Sequence, residues 1–353
     1  MAFVVKDAVR EPLYAVVPYF NPWRWKSREK HTLRAIKHFA DSGAVVILVE
    51  MAFNRREHAL ADCGLDGTPA ECNVLGERKF KHRHLMLRTK DELWLKENSI
   101  NVAVAQALPY DWQQVCWLDS DVHFLRPNWV GETIHKLQHY KYLQMFTHAV
   151  DLGPDYAMLP TGTPMANGTS FMHAQITGTL DQIIQGNKTS LTIKVATNPA
   201  PYPTSVWPGL AWAASREGWD GTGGLIDFAV WGGGDHAMAH ALMEKSRRVT
   251  GGMHKNYRML VNEWEGFCKR HIRKNVGVMT GTIAHNWHGR KTDRKYFAKH
   301  QLMQQVHFDP IHFLRKDYQG LYQLHDDGSD QFIHFRDMMR KIAKERNEDA
   351  NEI

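Results

Sequence analysis

The sequence lacks the marks of an exported or membrane-spanning protein. Residues 1–17 contain no basic segment followed by a long apolar core, so no signal peptide is predicted. No run reaches the roughly 18 apolar residues that a transmembrane helix needs. Cys-x-x-Cys spacing is absent, which argues against a zinc ribbon or a dithiol redox site at Cys63, Cys72, Cys116 and Cys268. We therefore expect a cytoplasmic protein with free thiols.

A strong charge imbalance is also absent. The 353 residues include 44 Lys and Arg against 38 Asp and Glu, a formal net charge of +6. This modest basic excess favours anionic partners such as nucleic acid, phosphates, a nucleotide or an anionic membrane surface, and it is equally compatible with ordinary solubility. The share of hydrophobic residues, 43%, is typical of a folded globular chain rather than a disordered one.

What the sequence does contain is an alternation of apolar runs and helical patterns. The runs LYAVVPYFN, AVVILVE and QVCWLD predict buried strands at 13–21, 44–50 and 114–119. Helical spacing between them predicts one helix capped by Ser27 and a second over 90–108. This order predicts an α/β fold, a mixed and mostly parallel sheet flanked by helices in a single large domain.

Three segments do not continue the alternation of strands and helices. A polar loop is expected from the second strand to about residue 85. The segment 151–207 is rich in Gly, Pro, Ser, Thr and Asn, and a loop of this length is usually functional or mobile. Residues 331–353 form a charged terminal helix or tail that we expect to fray.

Two carboxylates follow the third predicted strand directly. The stretch VCWLDSDVHFL places Asp119 and Asp121 one residue apart, with Ser120 between them. Charged groups are costly to bury unless they are paired or bind a metal. The motif is therefore either a solvated turn or a site for a divalent cation, and oxygen ligands suit Mn²⁺ or Mg²⁺.

A glycine-rich turn precedes a later helical pattern. In FAVWGGGDHAMAHAL, Trp231 is followed by three glycines, and Asp235 opens the helix. Glycines let a backbone approach a ligand closely, and Trp231 favours a pocket on which a sugar stacks. Asp235 has two interpretations, since a carboxylate at this position is also an ordinary helix N-cap.

Two histidines lie three residues apart in GTIAHNWHGRKTDRKY, and basic residues follow them. His285 and His288 fit a metal site that the two aspartates would complete. The alternative is structural, because the chain has 21 histidines and most histidines in proteins are not ligands.

The order of these motifs resembles the inverting β-1,4-galactosyltransferases and, more distantly, the polypeptide N-acetylgalactosaminyltransferases, which share the GT-A fold. PYFN at 18–21 is similar to the Pro-Phe-Arg-Asn-Arg motif of those families. WLKENSINV is similar to their Phe-Asn-Arg-Ala-Lys-Leu-Leu-Asn-Val helix, with Lys96 at the arginine and Asn101 at the final asparagine. WPGLAWAAS at 207–215 and GGL at 223–225 match a further strand and turn.

The functional motifs of the family fall on the motifs already described. Its Asp-Val-Asp metal motif falls on Asp119 to Asp121, its Trp-Gly-Gly-Glu-Asp motif on Trp231 to Asp235, and its late histidine on His285 or His288. The chain departs from the family at three positions. Phe20 and Pro22 replace both arginines of the first motif, for which Arg24 or Arg28 would substitute. Gly234 replaces the glutamate before the catalytic aspartate, which implies a different acceptor and favours inversion.

The resemblance implies a metal-dependent glycosyltransferase that uses a nucleotide-sugar, first of all a UDP-sugar. Asp119 and Asp121 would hold Mn²⁺ or Mg²⁺ with His288, or with His285 as the alternative, and Asp235 would be the general base. The GT-A domain would span 1–330, with a nucleotide-sugar half at about 13–125 and an acceptor half at about 150–300. The implied donor-binding residues are Pro18, Tyr19, Asn21, Lys96, Asn101, Ser120, Trp231, Gly232, Gly233, Arg290 and Lys291.

The acceptor has two candidate classes. One is a glycan or a lipid-linked saccharide. The other is a hydroxymethylated pyrimidine in phage DNA, because the chain is basic and is also similar to phage and bacterial glycosyltransferase-like proteins; a phage enzyme would work in the host cytoplasm. Basic clusters at 78–84, 269–274 and 290–300 would then contact DNA phosphates, although solvated loops explain them equally well. A non-catalytic carbohydrate-binding virion protein is the third possibility, and no oligomeric state is predicted.

Overall fold

The computed structural model describes residues 11–61, 70–72, 80–159, 167–182, 205–289 and 296–350. Its β-strands are β1 (Leu13–Phe20), β2 (Val45–Phe53), β3 (Ala70–Cys72), β4 (Phe80–Thr89), β5 (Gln114–Leu118), β6 (Val122–Phe124), β7 (Tyr142–Gln144), β8 (His148–Asp151), β9 (Asn167–Ser170), β10 (Ser205–Trp207), β11 (Ala211–Ser215), β12 (Val276–Val278), β13 (Thr282–His285), β14 (Leu314–Lys316) and β15 (Tyr322–Leu324).

The α-helices lie between these strands and after them. They are α1 (Lys26–Asp41), α2 (Lys96–Ala107), α3 (Trp129–Lys136), α4 (Phe171–Ile176), α5 (Arg216–Thr222), α6 (Gly234–Leu242), α7 (Lys255–Phe267), α8 (Tyr296–Gln305), α9 (Pro310–Phe313) and α10 (Asp330–Lys344). None of the helices in the described ranges is both long and apolar enough to cross a bilayer.

The main sheet has eight strands in the order β12-β7-β11-β5-β1-β2-β4-β3. β11 runs antiparallel to both of its neighbours and β3 runs antiparallel to β4, while the other pairings are parallel. Apolar side chains of β1, β2 and β5 are buried on both faces of the sheet, which is why their sequences are almost continuously hydrophobic. The predicted fold class, a mixed and mostly parallel α/β sheet flanked by helices, is confirmed.

A second sheet, in the order β10-β9-β8-β13-β6, meets the first at the two aspartates. The chain leaves the main sheet at Leu118, passes through Asp119 to Asp121, and enters the second sheet at Val122. β6 then pairs with β13, whose last residue is His285. The sharp transition between two sheets explains why carboxylates follow a buried strand here.

The predicted polar loop before residue 85 was wrong, because the long strand β4 begins at Phe80 and pairs with β2. The sequence of β4 is basic and does not look like a buried strand. Its His84 is nevertheless buried in the sheet, with the Nε2 3.0 Å from a carboxylate oxygen of buried Glu50 on β2. A buried polar pair of this kind breaks the apolar pattern on which strand prediction depends.

The sequence predicts that Ser27 caps α1, and this prediction is wrong. A residue distant in sequence caps the helix instead. The helix begins at Lys26, and its N-cap residue, Trp25, makes no side-chain capping bond. Instead the carboxylate of Asp349 accepts hydrogen bonds from the backbone N–H groups of Lys26 and Ser27, at 3.0 and 2.8 Å. A carboxylate at a helix N-terminus also interacts favourably with the helix dipole.

The segment 151–207 is more regular than the predicted loop. It contains β9 and α4, and the Ser170 hydroxyl caps α4 by accepting a hydrogen bond from the His173 N–H. The composition misled the prediction because Asn, Gly, Thr and Ser of β9 are common in loops but here pair with β8 and β10. The remainder of the predicted loop lies largely outside the described residues.

The expectation that the terminal helix frays was also wrong. α10 buries Phe332, Phe335, Met339 and Ile342 in the main hydrophobic cluster. The Phe335 ring lies 4.9 Å from the ring of Phe308, centroid to centroid. These positions repeat at helical spacing, and a charged opposite face obscured them in the sequence.

Truncation of Phe335 to alanine should therefore destabilise the protein by about 3–5 kcal/mol, the usual cost of removing a buried aromatic ring. Ile333→Ala, on the same helix but 39% exposed, is the matched control and should cost less than about 1 kcal/mol. Chemical denaturation measures both changes. Two equally small changes would mean that α10 is not part of the folded core.

Candidate active site

A large cleft opens beside the ends of β1 and β5, with a volume of about 1290 Å³. In such α/β sheets, ligands bind beyond the carboxyl ends of the strands. Most of the residues that the sequence motifs singled out line this cleft: Pro18, Lys96, Asp119, Ser120, Asp121, Trp231, Gly232, Gly233, Asp235, His285 and His288. Five segments far apart in the sequence therefore meet at one place.

Three side chains in the cleft form a candidate metal centre. One ligand atom each from Asp121, His285 and His288 lies within 4.8 Å of the other two. The His288 Nε2 is 3.3 Å from Asp121 Oδ2 and 3.3 Å from the His285 Nε2. The His285 Nε2 is 3.5 Å from Asp121 Oδ1. Two ring nitrogens and a carboxylate that converge in this way can bind a divalent cation together.

The backbone and a further carboxylate hold these side chains in place. The N–H of Asn286 donates to the Asp121 carbonyl at 2.7 Å, which fixes the histidine segment against the aspartate turn. β8 runs parallel to β13 and places Asp151 beside His285, with Asp151 Oδ1 2.6 Å from the Nδ1. A carboxylate on the Nδ1 leaves the Nε2 to face a metal. The sequence favoured His288 over His285, but the structure positions both, and His285 has the orienting carboxylate.

The electrostatics of the cluster also suit a cation. Burial raises the pKa of Asp121, but His285, His288 and His31 outweigh burial and hold that pKa well below its usual range. Burial disfavours the charged form of His285, but Asp121 and Asp151 outweigh it and raise its pKa to about 9. Within the described residues, Asp121 Oδ1 is buried and makes no hydrogen bond. A buried carboxylate oxygen of this kind is a natural metal ligand.

Asp119 lies outside this cluster. Its carboxylate forms an ion pair with the ammonium of Lys96, which is the first residue of α2. Burial disfavours the charged lysine, but Asp119, Asp235 and Glu97 outweigh burial and raise the pKa of Lys96. Of the two aspartates predicted to bind metal, the structure brings only Asp121 to the histidines.

Asp235 lies at the start of α6, after a turn that requires glycine. Gly232 and Gly233 have positive φ angles of 96° and 88°, in the left-handed region that favours glycine. The Asp235 Oδ1 accepts a hydrogen bond from the backbone N–H of His236 at 2.7 Å. A side chain at Gly209 would collide with the Asp235 carboxylate, so this glycine leaves the space that the carboxylate occupies.

Glu97 is a cleft residue that the sequence analysis missed. Its side chain is only 6% exposed and packs where a side chain at Gly234 would otherwise lie. Burial raises the pKa of Glu97 to about 8, because Lys96 only partly offsets the cost of desolvation. Glu97 lies within WLKENSINV, but the resemblance gives it no role, and its contact with Gly234 connects positions 137 residues apart only through the fold.

Tyr19, Asn21 and Asn101 are predicted donor residues that do not line the cleft. Tyr19 is buried, and its hydroxyl accepts a hydrogen bond from the Asn21 amide at 3.1 Å. The Asn101 amide instead binds the backbone of Leu225, accepting from its N–H at 2.9 Å and donating to its carbonyl at 3.0 Å. Asn101 thus fixes the turn before the glycine motif. Arg290 and Lys291 lie outside the described residues.

Among the further residues that line the cleft are Arg28, His31, Trp94, Lys299, Arg346 and Glu348. The sequence analysis considered Arg28 as a substitute for a missing arginine and Lys299 as part of a basic cluster. Arg28 and Arg346 both contact the buried carboxylate of Glu348, with nitrogen–oxygen distances of 2.6 Å. Since these residues come from α1, α8 and the segment after α10, no local pattern in the sequence connects them.

The sequence matches no family model and no curated protein. Among solved structures the chain is similar to two of the Drosophila β1,4-galactosyltransferase 7. The first is a mutant in complex with manganese, UDP-Gal and xylobiose, at 10% identity and a TM-score of 0.34. Another is the catalytic domain with xylobiose, at 11% identity and a TM-score of 0.35. Each comparison covers 90% of this chain and 95% of the other.

Both structures are of a β1,4-galactosyltransferase, the class of enzyme whose motifs the sequence resembles. The similarity in overall shape is low. The function proposed below rests on the side chains of the cleft.

We predict that Mn²⁺ binding depends on pH through His285. A metal ion binds only the neutral imidazole of His285. Because the pKa of this ring is about 9, protons compete with the metal for its nitrogen below that pH. The apparent affinity should fall by up to about tenfold per pH unit between pH 8.5 and 6.5, as measured by calorimetric titration. His285→Ala should bind weakly and lose the slope, whereas His236→Ala, which removes another cleft histidine, should keep both. Equal binding by all three proteins would exclude the metal centre.

Proposed function

We propose that this protein is a metal-dependent glycosyltransferase that moves a sugar from a nucleotide-sugar to an acceptor hydroxyl with inversion of configuration. The observation that carries the proposal is the meeting of Asp121, His285 and His288 with Asp235 in one cleft. The cleft is large enough for a nucleotide-sugar and an acceptor together. The motif order in the sequence makes a UDP-sugar the first donor to test.

Asp121, His285 and His288 would hold the metal. Two imidazoles and one carboxylate favour Mn²⁺ over Mg²⁺, because Mg²⁺ prefers a shell made only of oxygen ligands. A divalent cation bound there supplies Lewis-acid stabilisation to a departing diphosphate. Asp151 contributes by orienting the His285 ring, and Asp119 by holding Lys96 in the wall of the cleft.

Asp235 would be the general base. It is at the N-terminus of α6, where the helix dipole stabilises a carboxylate and the side chain faces the cleft. In a single displacement the acceptor oxygen forms a bond to C1 of the sugar while the bond from C1 to the diphosphate breaks. The hydroxyl proton passes to Asp235, and the nucleoside diphosphate leaves with the electron pair of the broken bond.

The acceptor proposals remain a saccharide or a hydroxymethylated pyrimidine in DNA. In the first basic cluster, His84 is buried against Glu50, and in the second, Lys269 pairs with Glu265. Lys299 of the third cluster lines the cleft and is only 7% exposed. These positions favour a saccharide acceptor, and we propose it ahead of DNA.

We predict that Asp235→Asn keeps the fold and Mn²⁺ binding but loses sugar transfer by roughly 10²–10⁴-fold, because asparagine does not accept the proton. Asp330→Asn is the matched control, since Asp330 is also in the first turn of a helix but is exposed. Release of nucleoside diphosphate from UDP-sugars with Mn²⁺ measures the reaction. If Asp235→Asn reacts as fast as the wild type, Asp235 is only a helix-capping residue.

The same assay tests the non-catalytic alternative. A carbohydrate-binding protein would bind a saccharide without Mn²⁺ and would consume none of the UDP-, GDP- or CMP-sugars supplied. The stereochemistry of the product, determined by NMR spectroscopy of the new glycosidic bond, tests inversion separately from transfer.

The acceptor classes differ in how binding depends on salt. DNA binding should weaken steeply between 50 and 200 mM salt, because each neutralised phosphate releases counterions. Saccharide binding should change little over that range. Plain DNA, hydroxymethylcytosine-containing DNA and a glycan panel, compared at both salt concentrations, separate the two. Transfer of labelled sugar to the modified DNA alone would contradict our preference for a saccharide.

A further inference from the structure

Three cationic side chains surround one aromatic ring in the wall of the cleft. The guanidinium carbons of Arg28 and Arg346 and the ammonium of Lys299 lie 5.5, 5.1 and 5.2 Å from the centre of the Trp94 ring. All four residues line the cleft, and Lys299 and Arg346 are each only 7% exposed. Buried cations of one sign are costly to gather, so a group of three suggests a role.

The charge around this ring is positive. The carboxylate of Glu348 bonds both arginines and offsets part of this charge. The three cations still lie close enough around one ring to repel one another. Burial and, next, the neighbouring Arg346 lower the pKa of Lys299 to about 7. An anion placed here would relieve this repulsion.

The group is fixed before any ligand binds. Arg28 donates to Glu348 through its Nε and a terminal nitrogen, at 2.9 and 2.6 Å. The segment that carries Arg346 and Glu348 is held by Asp349 at the N-terminus of α1 and by Trp287, whose indole donates to the Ala350 carbonyl at 2.6 Å. A set of donors that is already rigid and desolvated binds an anion without the entropic cost of ordering the donor side chains.

The position of the group indicates which anion it would take. Glycine at position 289, directly after His288, lets the backbone of Asn347 pass close by, so the segment with Arg346 adjoins the metal cluster. The ammonium of Lys299 approaches Gly232 of the turn that leads to Asp235. An anion here would thus lie between the metal cluster and the proposed base. Guanidinium groups bind phosphoryl oxygens in a paired geometry, and a lysine adds a point charge.

We infer that Arg28, Lys299 and Arg346, arranged around Trp94, form a subsite for the diphosphate of the donor. This inference rests on the proposed function for the identity of the donor, but the subsite itself acts without metal. It adds to the phosphate contacts predicted at Arg290 and Lys291, which lie outside the described residues, and it assigns the C-terminal segment to the binding site.

Calorimetric titration with inorganic pyrophosphate in EDTA tests the subsite apart from metal and transfer. Lys299→Met should weaken pyrophosphate binding by about 10–100-fold, the usual loss for one charged hydrogen bond. Lys299→Arg should stay near the wild type. The matched control is Lys344→Met, which removes an exposed lysine two residues before Arg346 and should change the affinity less than twofold.

Folding does not confound the comparison, because removing a buried cation should leave the melting temperature of Lys299→Met equal or higher. Orthophosphate should bind at least tenfold more weakly than pyrophosphate, since three cations suit two phosphoryl groups. Each of three results would overturn the diphosphate subsite. The wild type does not bind pyrophosphate in EDTA, Lys299→Met binds it as tightly as the wild type, or orthophosphate binds as tightly as pyrophosphate. A Lys299 effect on pyrophosphate without any sugar transfer would instead support the subsite and reject the proposed function.

Discussion

The pairing of β6 with β13 is the interaction on which the cleft depends. It joins the end of a main-sheet strand to a segment some 160 residues later in the chain and brings Asp121 to His285 and His288. The hydrogen bond from the Asn286 N–H to the Asp121 carbonyl extends this pairing by one residue. Without it, the carboxylate and the two histidines would belong to different sheets. The parallel partner β8 places Asp151 beside His285, so a single set of backbone contacts positions both a candidate metal ligand and the carboxylate that orients it.

The cleft separates charge along its length. At one end, carboxylates converge with histidines, and at the other, three cations surround Trp94. Asp235 and the ion pair of Lys96 with Asp119 also line the same space. A ligand with a diphosphate in its middle would match the cationic end through its phosphoryl oxygens, whereas a neutral saccharide alone would bring no charge to that end. This distribution therefore connects donor recognition to the geometry of the proposed reaction.

The sequence predicted what is local. β1, β2 and β5 follow from apolar runs, and Asp121, Asp235, His285 and His288 were found because each lies in a short motif that chain geometry makes meaningful. β4 was missed because a buried histidine pairs with Glu50 and disrupts the apolar pattern. Asn101 matched a family position, but its amide binds the backbone of Leu225, which no pattern reveals. Glu97, Lys299 and Arg346 reach the cleft only through tertiary contacts, and a single sequence does not contain that information.

The bond between Asp349 and the start of α1 spans 323 positions in the chain. During synthesis, α1 therefore leaves the ribosome long before the residue that completes its N-terminus exists. The same holds for Arg28, whose carboxylate partner is Glu348. Closing so long a loop is slow compared with forming local helices, so this contact belongs to the late steps of folding. A nascent chain can assemble its central strands early, yet this wall of the cleft is complete only once residues 346–349 have emerged. Products shortened before residue 346 would carry the histidine cluster without that wall.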